Sequence, residues 1–312
     1  LAAQLLKSRR AQVLVTDEGA LLRGLIRLDD VEPFLKDPYV AETVLMGLAR
    51  AAGLAGLSGM RPAWEEDGVR FLRPLLDAGR DELRHWLQGE HIHWIDDPTN
   101  ENDRFARVKA RKALVALAPL GLTAERLAEV AGNLARVQEA LAVQVAATAA
   151  ACVEEQAGAL RFGAACWEVP GEVQRQLVVA ALRWLNGADY APRAAEVDRL
   201  IAALSAGGDA TLAGCRARKG WLMREPRAVG GSVPVGELWD GRWVVEGPEG
   251  EVRALGAEGL RQVPDWRKLG LPREVLLVTP GVWAGERLLA AVPSGLSAEW
   301  TVRLQDPFTL RR

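Results

Sequence analysis

The stretch from Trp94 to Arg111, WIDDPTNENDRFARVKAR, constrains this 312-residue chain more than any other. It opens on a strand pattern, breaks at Asp96-Asp97-Pro98-Thr99-Asn100, and resumes as a basic segment with helical spacing. Pro98 fixes its own φ, and the residue before a proline is pushed out of the α region. Asp97, Thr99 and Asn100 are short polar side chains that bond nearby backbone and cap a helix start. In the next helix, Arg104, Arg107 and Arg111 stand at i, i+3 and i+7, on a face about 60° wide. Lys109 and Lys112 flank that face. Guanidiniums grouped at a helix entrance suit phosphate or a nucleic-acid backbone. They equally suit a solvated face paired with carboxylates such as Glu101 and Asp103, which is the commoner fate of a charge run.

The segments before this stretch alternate between strand and helix patterns. Gln12 to Thr16 reads as a short strand. Residues 38–52 read as an amphipathic helix with Asp37 as cap and Pro38 in the first turn. Val40, Val44, Leu45 and Leu48 form its apolar stripe, and Gly53 suits its C-terminal cap. Glu42 is the one acid on it, which by itself suggests an exposed carboxylate. Gly53 to Met60 supplies flexible backbone but no GxxxxGK[ST] phosphate loop. Phe71 to Leu76 reads as a strand and residues 79–88 as a helix with Leu83, Trp86 and Leu87 inward. His91 to Ile95 reads as the next strand, with Ile92 and Trp94 inward and His91 and His93 toward solvent. Strands alternating with helices predict an α/β domain built on a parallel sheet. Ligands bind such sheets at the carboxyl ends of strands, where the Asp97–Asn100 turn should lie.

Ala118-Pro119-Leu120-Gly121 interrupts this pattern, and Thr123 caps the next segment. Residues 124–156 read as one helix carrying Leu127, Val130, Leu134, Val137, Leu141 and Val145, roughly 50 Å long at 1.5 Å per residue. Residues 171–186 and 192–205 read as two further helices. From residue 209 short strands alternate with turn signals at 218–220, 240–241, 247–250 and 284–286, which predicts hairpins. A second basic cluster, Arg216, Arg218, Lys219 and Arg224, lies here. It suits either a nucleic-acid surface or a hairpin edge kept soluble by charge. Three parts are expected: an α/β domain over 1–117, a helical domain over 118–208 and a mixed, β-rich domain over 209–312.

A net charge of −2 gives no global basic signal, so any nucleic acid must be held by local patches. No run of about 18 apolar residues marks a membrane span, and no signal peptide is seen. Cys152, Cys166 and Cys215 form no CxxC pair and are expected as free thiols in a reducing compartment. The three histidines, His85, His91 and His93, have no cysteine nearby, and no metal site is expected. Of 11 tryptophans most lie in the C-terminal half, where core and edge packing is their usual role.

Four motifs in order carry a resemblance: AETVLMGLARAAGLAGLSGM (41–60), RPLL (73–76), RDELRHWL (80–87), and WIDDPTN (94–100) with Arg107 and Arg111 beyond. Together they resemble the tRNA(Ile)-lysidine synthases of the PP-loop ATP pyrophosphatase superfamily, over roughly residues 41–312. The resemblance implies a partial Rossmann-like PP-loop domain, then a helical and a mixed C-terminal domain that hold tRNA. It implies a cytoplasmic ATP-dependent ligase that activates the wobble cytidine of isoleucine tRNA with ATP and Mg²⁺, then joins lysine to it. On this basis Arg107 and Arg111 are candidate catalytic residues and Glu42 lies near the nucleotide. Arg104, Lys109, Lys112, Arg216, Arg218 and Lys219 are candidate tRNA contacts, and a homodimer is compatible.

The chain departs from the family pattern in two places. It contains no Ser-Gly-Gly-x-Asp-Ser string, the phosphate cradle of the family. The family's His-x-x-Asp-Asp motif is not in register before Ala41, where Lys36-Asp37-Pro38-Tyr39 stand, and Asp29-Asp30 lies too far upstream. Residues 17–40 therefore read as an insertion or a replaced segment. The expectation is a lysidine synthase lacking the N-terminal part of its catalytic domain. The alternative is a catalytically inactive tRNA-binding fragment or relic of that enzyme. A protein-interaction module is a third class, supported by the charge of −2.

Overall fold

The computed structural model describes residues 12–16, 22–27, 38–60, 63–66, 69–73, 80–93, 104–188, 190–296 and 299–310. The Asp97–Asn100 turn, Glu101 and Asp103, the Asp29-Asp30 pair and the expected strand residues Trp94 and Ile95 all lie outside these residues. The chain divides into two compact units, Leu1–Ala140 and Leu141–Arg312.

In the first unit β1 (Gln12–Thr16) pairs antiparallel with β2 (Leu22–Arg27). Helix α1 (Pro38–Ala49) comes next, with proline in its first turn where the missing N–H costs nothing. It ends earlier than Gly53: Ala51 takes the left-handed conformation at φ 51°, and Gly53, at φ −75°, instead precedes the short helix α2 (Leu54–Leu57). The two helices approach closely at Gly47, whose missing Cβ would lie 3.0 Å from Leu57 Cδ2 and 3.2 Å from Gly56 O. Strands β3 (Ala63–Glu66) and β4 (Val69–Leu72) form a second antiparallel pair, ahead of α3 (Arg80–Gly89). Helices α4 (Ala106–Leu117) and α5 (Ala124–Cys152) complete the unit, with the boundary between units falling inside α5. Ala41 and Val44 of α1, Leu114 of α4, and Leu127 and Ala131 of α5 make its buried core.

Of two expectations for this unit, one is not shown and one is overturned. The paired strands described are antiparallel, not a parallel sheet. Their links are the reason: β3 and β4 are separated only by residues 67 and 68, and a parallel crossover needs a dozen residues or more. The expected strand at His91 does not form over residues 91–93 either. His91 takes φ 55°, its N–H bonds Gln88 O at 3.1 Å, and Ile92 N–H bonds Leu87 O at 2.9 Å. This pair of bonds is a Schellman stop to α3, which caps the last carbonyls and turns the chain away.

The second unit opens on the end of α5. Strands β5 (Val153–Gln156) and β6 (Ala159–Phe162) lead to α6 (Gly171–Asn186) and α7 (Ala194–Ser205). Strands β7 (Asp209–Leu212), β8 (Cys215–Arg218) and β9 (Trp221–Arg224) come after them, and the five strands form one antiparallel sheet in the order β5-β6-β9-β8-β7. Leu177, Leu182 and Leu185 of α6 and Leu200 and Leu204 of α7 bury against Leu160, Cys215, Ala217 and Leu222 of this sheet. On β8, buried Cys215 and Ala217 alternate with Arg216 and Arg218, the period of a strand covered on one face. On β9 Trp221, Leu222 and Met223 are all buried: Leu222 joins the helix-side core, while Trp221 and Met223 pack with Val275 and Val278.

The sheet's three tight turns are Ala157-Gly158, Ala213-Gly214 and Lys219-Gly220, each with both residues at positive φ. Two-residue loops of this type match the right-handed twist of the strands, and glycine in second place lowers their cost.

The rest of the unit holds β10 (Val233–Pro234), β11 (Leu238–Trp239), β12 (Trp243–Glu246), β13 (Glu251–Ala254), α8 (Gly256–Gln262), α9 (Arg273–Leu277), β14 (Pro280–Ala284), β15 (Arg287–Ala290) and β16 (Thr301–Leu304). They form two antiparallel sheets, β10-β13-β14-β15 and β11-β12-β16, around Trp239, Trp243, Val245, Val252, Val282 and Ala290. The hairpins expected at 240–241 and 284–286 are present. The 247–250 turn instead connects β12 to β13, which belong to different sheets. Among the described residues no helix is long and apolar enough to cross a membrane.

Candidate active site

Helix α1 turns Glu42 toward α4, and the carboxylate is buried at 1% exposure. It is therefore not the exposed acid that a surface helix would carry. Arg111 Nε donates to Glu42 Oε1 at 2.9 Å, and Arg107 Nη1 stands 4.0 Å from Oε2. Arg107 and Arg111 are one helical turn apart on α4, so one carboxylate can face both. Their side chains stay 43% and 41% exposed. The trio thus sets a buried anion against two half-exposed cations.

The local sequence explains this arrangement. Val108, Ala110 and Leu114 are the buried residues of α4, which leaves Arg107 and Arg111 at the border of the apolar seam. Small Ala41 lies fully buried in that same seam on α1, beside Glu42. A lone buried carboxylate would be costly, and the Arg111 bond offsets that cost.

The other expected contacts on α4 are placed on its outer side. Lys109 and Lys112 are exposed, as is Arg104 just before the helix. The first turn of α4 holds no acidic residue, and Phe105 at its N-cap gives no side-chain bond. The helix dipole and Arg104 therefore act with the same sign at this end.

The second basic cluster lies in the other unit and is largely paired. Arg216 Nε donates to Asp209 Oδ1 at 2.9 Å, and this bond holds the Asp209 carboxyl below its ordinary value. Arg218 stands 3.6 Å from Asp209 and 3.3 Å from Glu274. Lys219 is exposed in a turn at φ 50°. Arg224, expected beside them, is instead drawn inward. Its Nε donates to Asp240 Oδ2 at 2.9 Å, with the two side chains only 11% and 4% exposed. Asp240 also accepts from Gly230 N at 2.9 Å, so this pair ties two loops together.

Two further features were not legible in the sequence. Arg242 is buried, sits 4.2 Å over the Trp184 ring and donates to Gly158 O at 3.0 Å. Burial pushes its guanidinium down to about 10. Cys152 and Cys166, expected as free thiols, are joined by a disulfide, and Cys215 is the free cysteine. No local spacing signals either feature, because both depend on strands that fold the chain back.

Among the described residues no group of three or more His, Cys, Asp and Glu could hold a metal ion. No Mg²⁺ ligand is assigned among them. The half-exposed guanidiniums of Arg107 and Arg111, by contrast, fit a phosphate of ATP.

A family model described as the PP-loop domain matches residues 36–118, which contain the whole Glu42–Arg107–Arg111 trio. The chain is 43% identical over 275 residues to a tRNA(Ile)-lysidine synthase of Ruegeria pomeroyi, covering 85% of this chain and 66% of that protein. The chain belongs to the tRNA(Ile)-lysidine synthase family. Proteins of the same name from Bradyrhizobium diazoefficiens and Novosphingobium aromaticivorans are 45% identical over 103 residues and 35% identical over 210. Those matches cover 33% and 63% of this chain, and 28% and 60% of the relatives. The chain thus spans 66% or less of the length of these relatives.

Proposed function

We propose that this protein takes part in the ATP-dependent ligation of lysine to the wobble cytidine of isoleucine tRNA. The observation that carries the reading is the buried Glu42 carboxylate set against Arg107 and Arg111 within the PP-loop match. In this reading ATP activates the cytidine carbonyl, pyrophosphate departs, and the lysine amine then forms the new C–N bond. Negative charge builds on the departing phosphates, and in this reading Arg107 and Arg111 neutralise it. Glu42 holds Arg111 in one rotamer, so that its remaining N–H groups are aimed before the ligand arrives. Glu42 acts here on the nucleotide through the arginines.

Arg104, Lys109 and Lys112 would meet tRNA phosphates beside this site. Lys219 offers a further contact in the second unit, whereas Arg216 and Arg218 would first have to exchange Asp209 and Glu274 for phosphate. Mg²⁺, a homodimer and a cytoplasmic site of action belong to the same proposal.

A second reading is tRNA binding without ligation. Its support is that the exposed Arg104, Lys109 and Lys112 can meet tRNA phosphates whether or not ATP is used. One experiment separates the two: ATP, radiolabelled lysine and unmodified isoleucine tRNA are supplied, and incorporation is followed beside tRNA binding. ATP-dependent incorporation establishes ligation. Salt-dependent tRNA binding with no incorporation establishes the second reading, and the failure of both removes the proposal.

A further inference from the structure

The base of the β5–β6 hairpin carries a pair of sulfurs that the ligase reading does not use. Cys152 ends α5, and Cys166 lies in the 3₁₀ turn Ala164–Trp167 just after β6. The disulfide between them spans 14 residues of sequence, with the Cα atoms 5.6 Å apart.

The surroundings suit thiols as well as a disulfide. Cys152 Sγ lies 3.0 Å from Thr148 O, and Cys166 Sγ lies 3.0 Å from Cys152 O. Each sulfur, once reduced, therefore has a backbone carbonyl ready to accept its S–H. The backbone at this point is held independently of the sulfurs. Gly163 N–H donates to Cys152 O at 2.8 Å, and Val153 pairs with Phe162 at the first step of the ladder. At the far end of the hairpin Arg242 Nη2 bonds Gly158 O at 3.0 Å. Opening or closing the S–S bond thus breaks no bond of the ladder.

Access is unequal. Cys166 is 0% exposed, whereas Cys152 is only half-buried. Cys215, also 0% exposed, is a spectator.

We propose that Cys152 and Cys166 form a reversible thiol–disulfide modification site, entered through Cys152 and addressed by small-molecule disulfides and thiols of the glutathione type. To close it, the Cys152 thiolate attacks one sulfur of the small disulfide and expels one thiolate. The Cys166 thiolate then attacks the Cys152 sulfur of the mixed disulfide and expels the second. Two protein thiols are oxidised, one small disulfide is reduced to two thiols, and the two protons pass to the expelled thiolates. Opening is the reverse, with the small thiolate attacking Cys152 and Cys166 leaving. In a reducing compartment, disulfides of this transient kind are the ones expected to sense redox state.

The test uses the full chain equilibrated in mixtures of reduced and oxidised glutathione, then alkylated and mapped by peptide mass spectrometry. A Cys152–Cys166 cross-link should form as oxidised glutathione rises and disappear when reduced glutathione is restored to the folded protein. The oxidised form should melt about 5–10 °C higher, from the closed loop. Cys166→Ser should abolish the cross-link and leave a glutathione mixed disulfide on Cys152. If that variant does not fold, the titration of the unaltered chain decides alone. Alkylation of both cysteines at every ratio would overturn the proposal, as would a cross-link that persists in excess reduced glutathione. None of these readouts depends on ligase activity.

Discussion

Arg111 donates its Nε–H to Oε1 of Glu42 across 2.9 Å, joining α4 to α1 over 69 residues of sequence. Glu42 is buried and Arg111 is not, so the bond ties an interior anion to a cation at the surface. Its two ends have different sensitivities. Loss of the carboxylate removes the acceptor that holds Arg111, whereas loss of Arg111 leaves the buried charge with only the Arg107 guanidinium at 4.0 Å.

Glu42→Ala should lower the stability of the first unit by about 1–3 kcal/mol, less than a fully buried pair because both arginines reach water. Urea denaturation would show the loss as a lower midpoint. A double-mutant cycle with Arg111→Ala should give a coupling of about 0.5–3 kcal/mol. A coupling near zero would mean that the two side chains do not act together.

Arg107→Ala should weaken tRNA binding and make it less salt-dependent. Removing one phosphate partner lowers the slope of log affinity against log salt by about 1. The check is a binding series at several salt concentrations. An affinity and slope equal to those of the unaltered chain would remove Arg107 from the tRNA contacts and leave it to the nucleotide alone.

Local spacing carried the helices well and their partners poorly. Residues 38–49, 171–186 and 194–205 are helical where periodicity places them. Their buried faces were less legible. Leu48, assigned to the apolar stripe of α1, is 52% exposed, while Glu42, the residue that looks most like surface, is 1% exposed. Periodicity weighs each side chain by its own polarity and has no means of registering an arginine on a distant helix. Strand direction was hard to read for a similar reason: the alternation of strands and helices suggested a parallel sheet, while the pairing described at β3 and β4 is a hairpin, whose short link permits no crossover. The turns at Lys219-Gly220 and Asp240-Gly241 were legible because glycine with a turn former is itself the physical requirement.

Cys215 should stay a protonated, unreactive thiol well above neutral pH. Burial pushes it up from 9.0 to about 11. At pH 8 its alkylation should be slower than that of an exposed cysteine by roughly 100-fold, in proportion to the thiolate fraction. The folded chain holds the proton more tightly than the unfolded one, so this contribution to stability is complete below pH 9 and is lost as pH rises from 9 to about 11. Melting curves across that window should fall with pH, and Cys215→Ala should flatten the fall. A variant with the same slope as the unaltered chain would exclude Cys215 as its source.

Gly158 turns the β5–β6 hairpin at φ 72°, and a Cβ there would lie 2.3 Å from Cζ2 of Trp243. Two costs should therefore add in Gly158→Ala: about 1–2 kcal/mol for a left-handed alanine and about 1–3 kcal/mol for displacing a packed ring. Gly187 separates them. It has φ 66° at the end of α6 but no atom within 4 Å of where a methyl group would stand, so Gly187→Ala should lose only the first. Thermal melts of both variants, followed by tryptophan fluorescence, give the difference directly. A larger loss for Gly158→Ala, with altered fluorescence, assigns the excess to Trp243. Equal losses would mean that the ring yields freely, and that the close approach of hairpin and indole does not hold the tip in place.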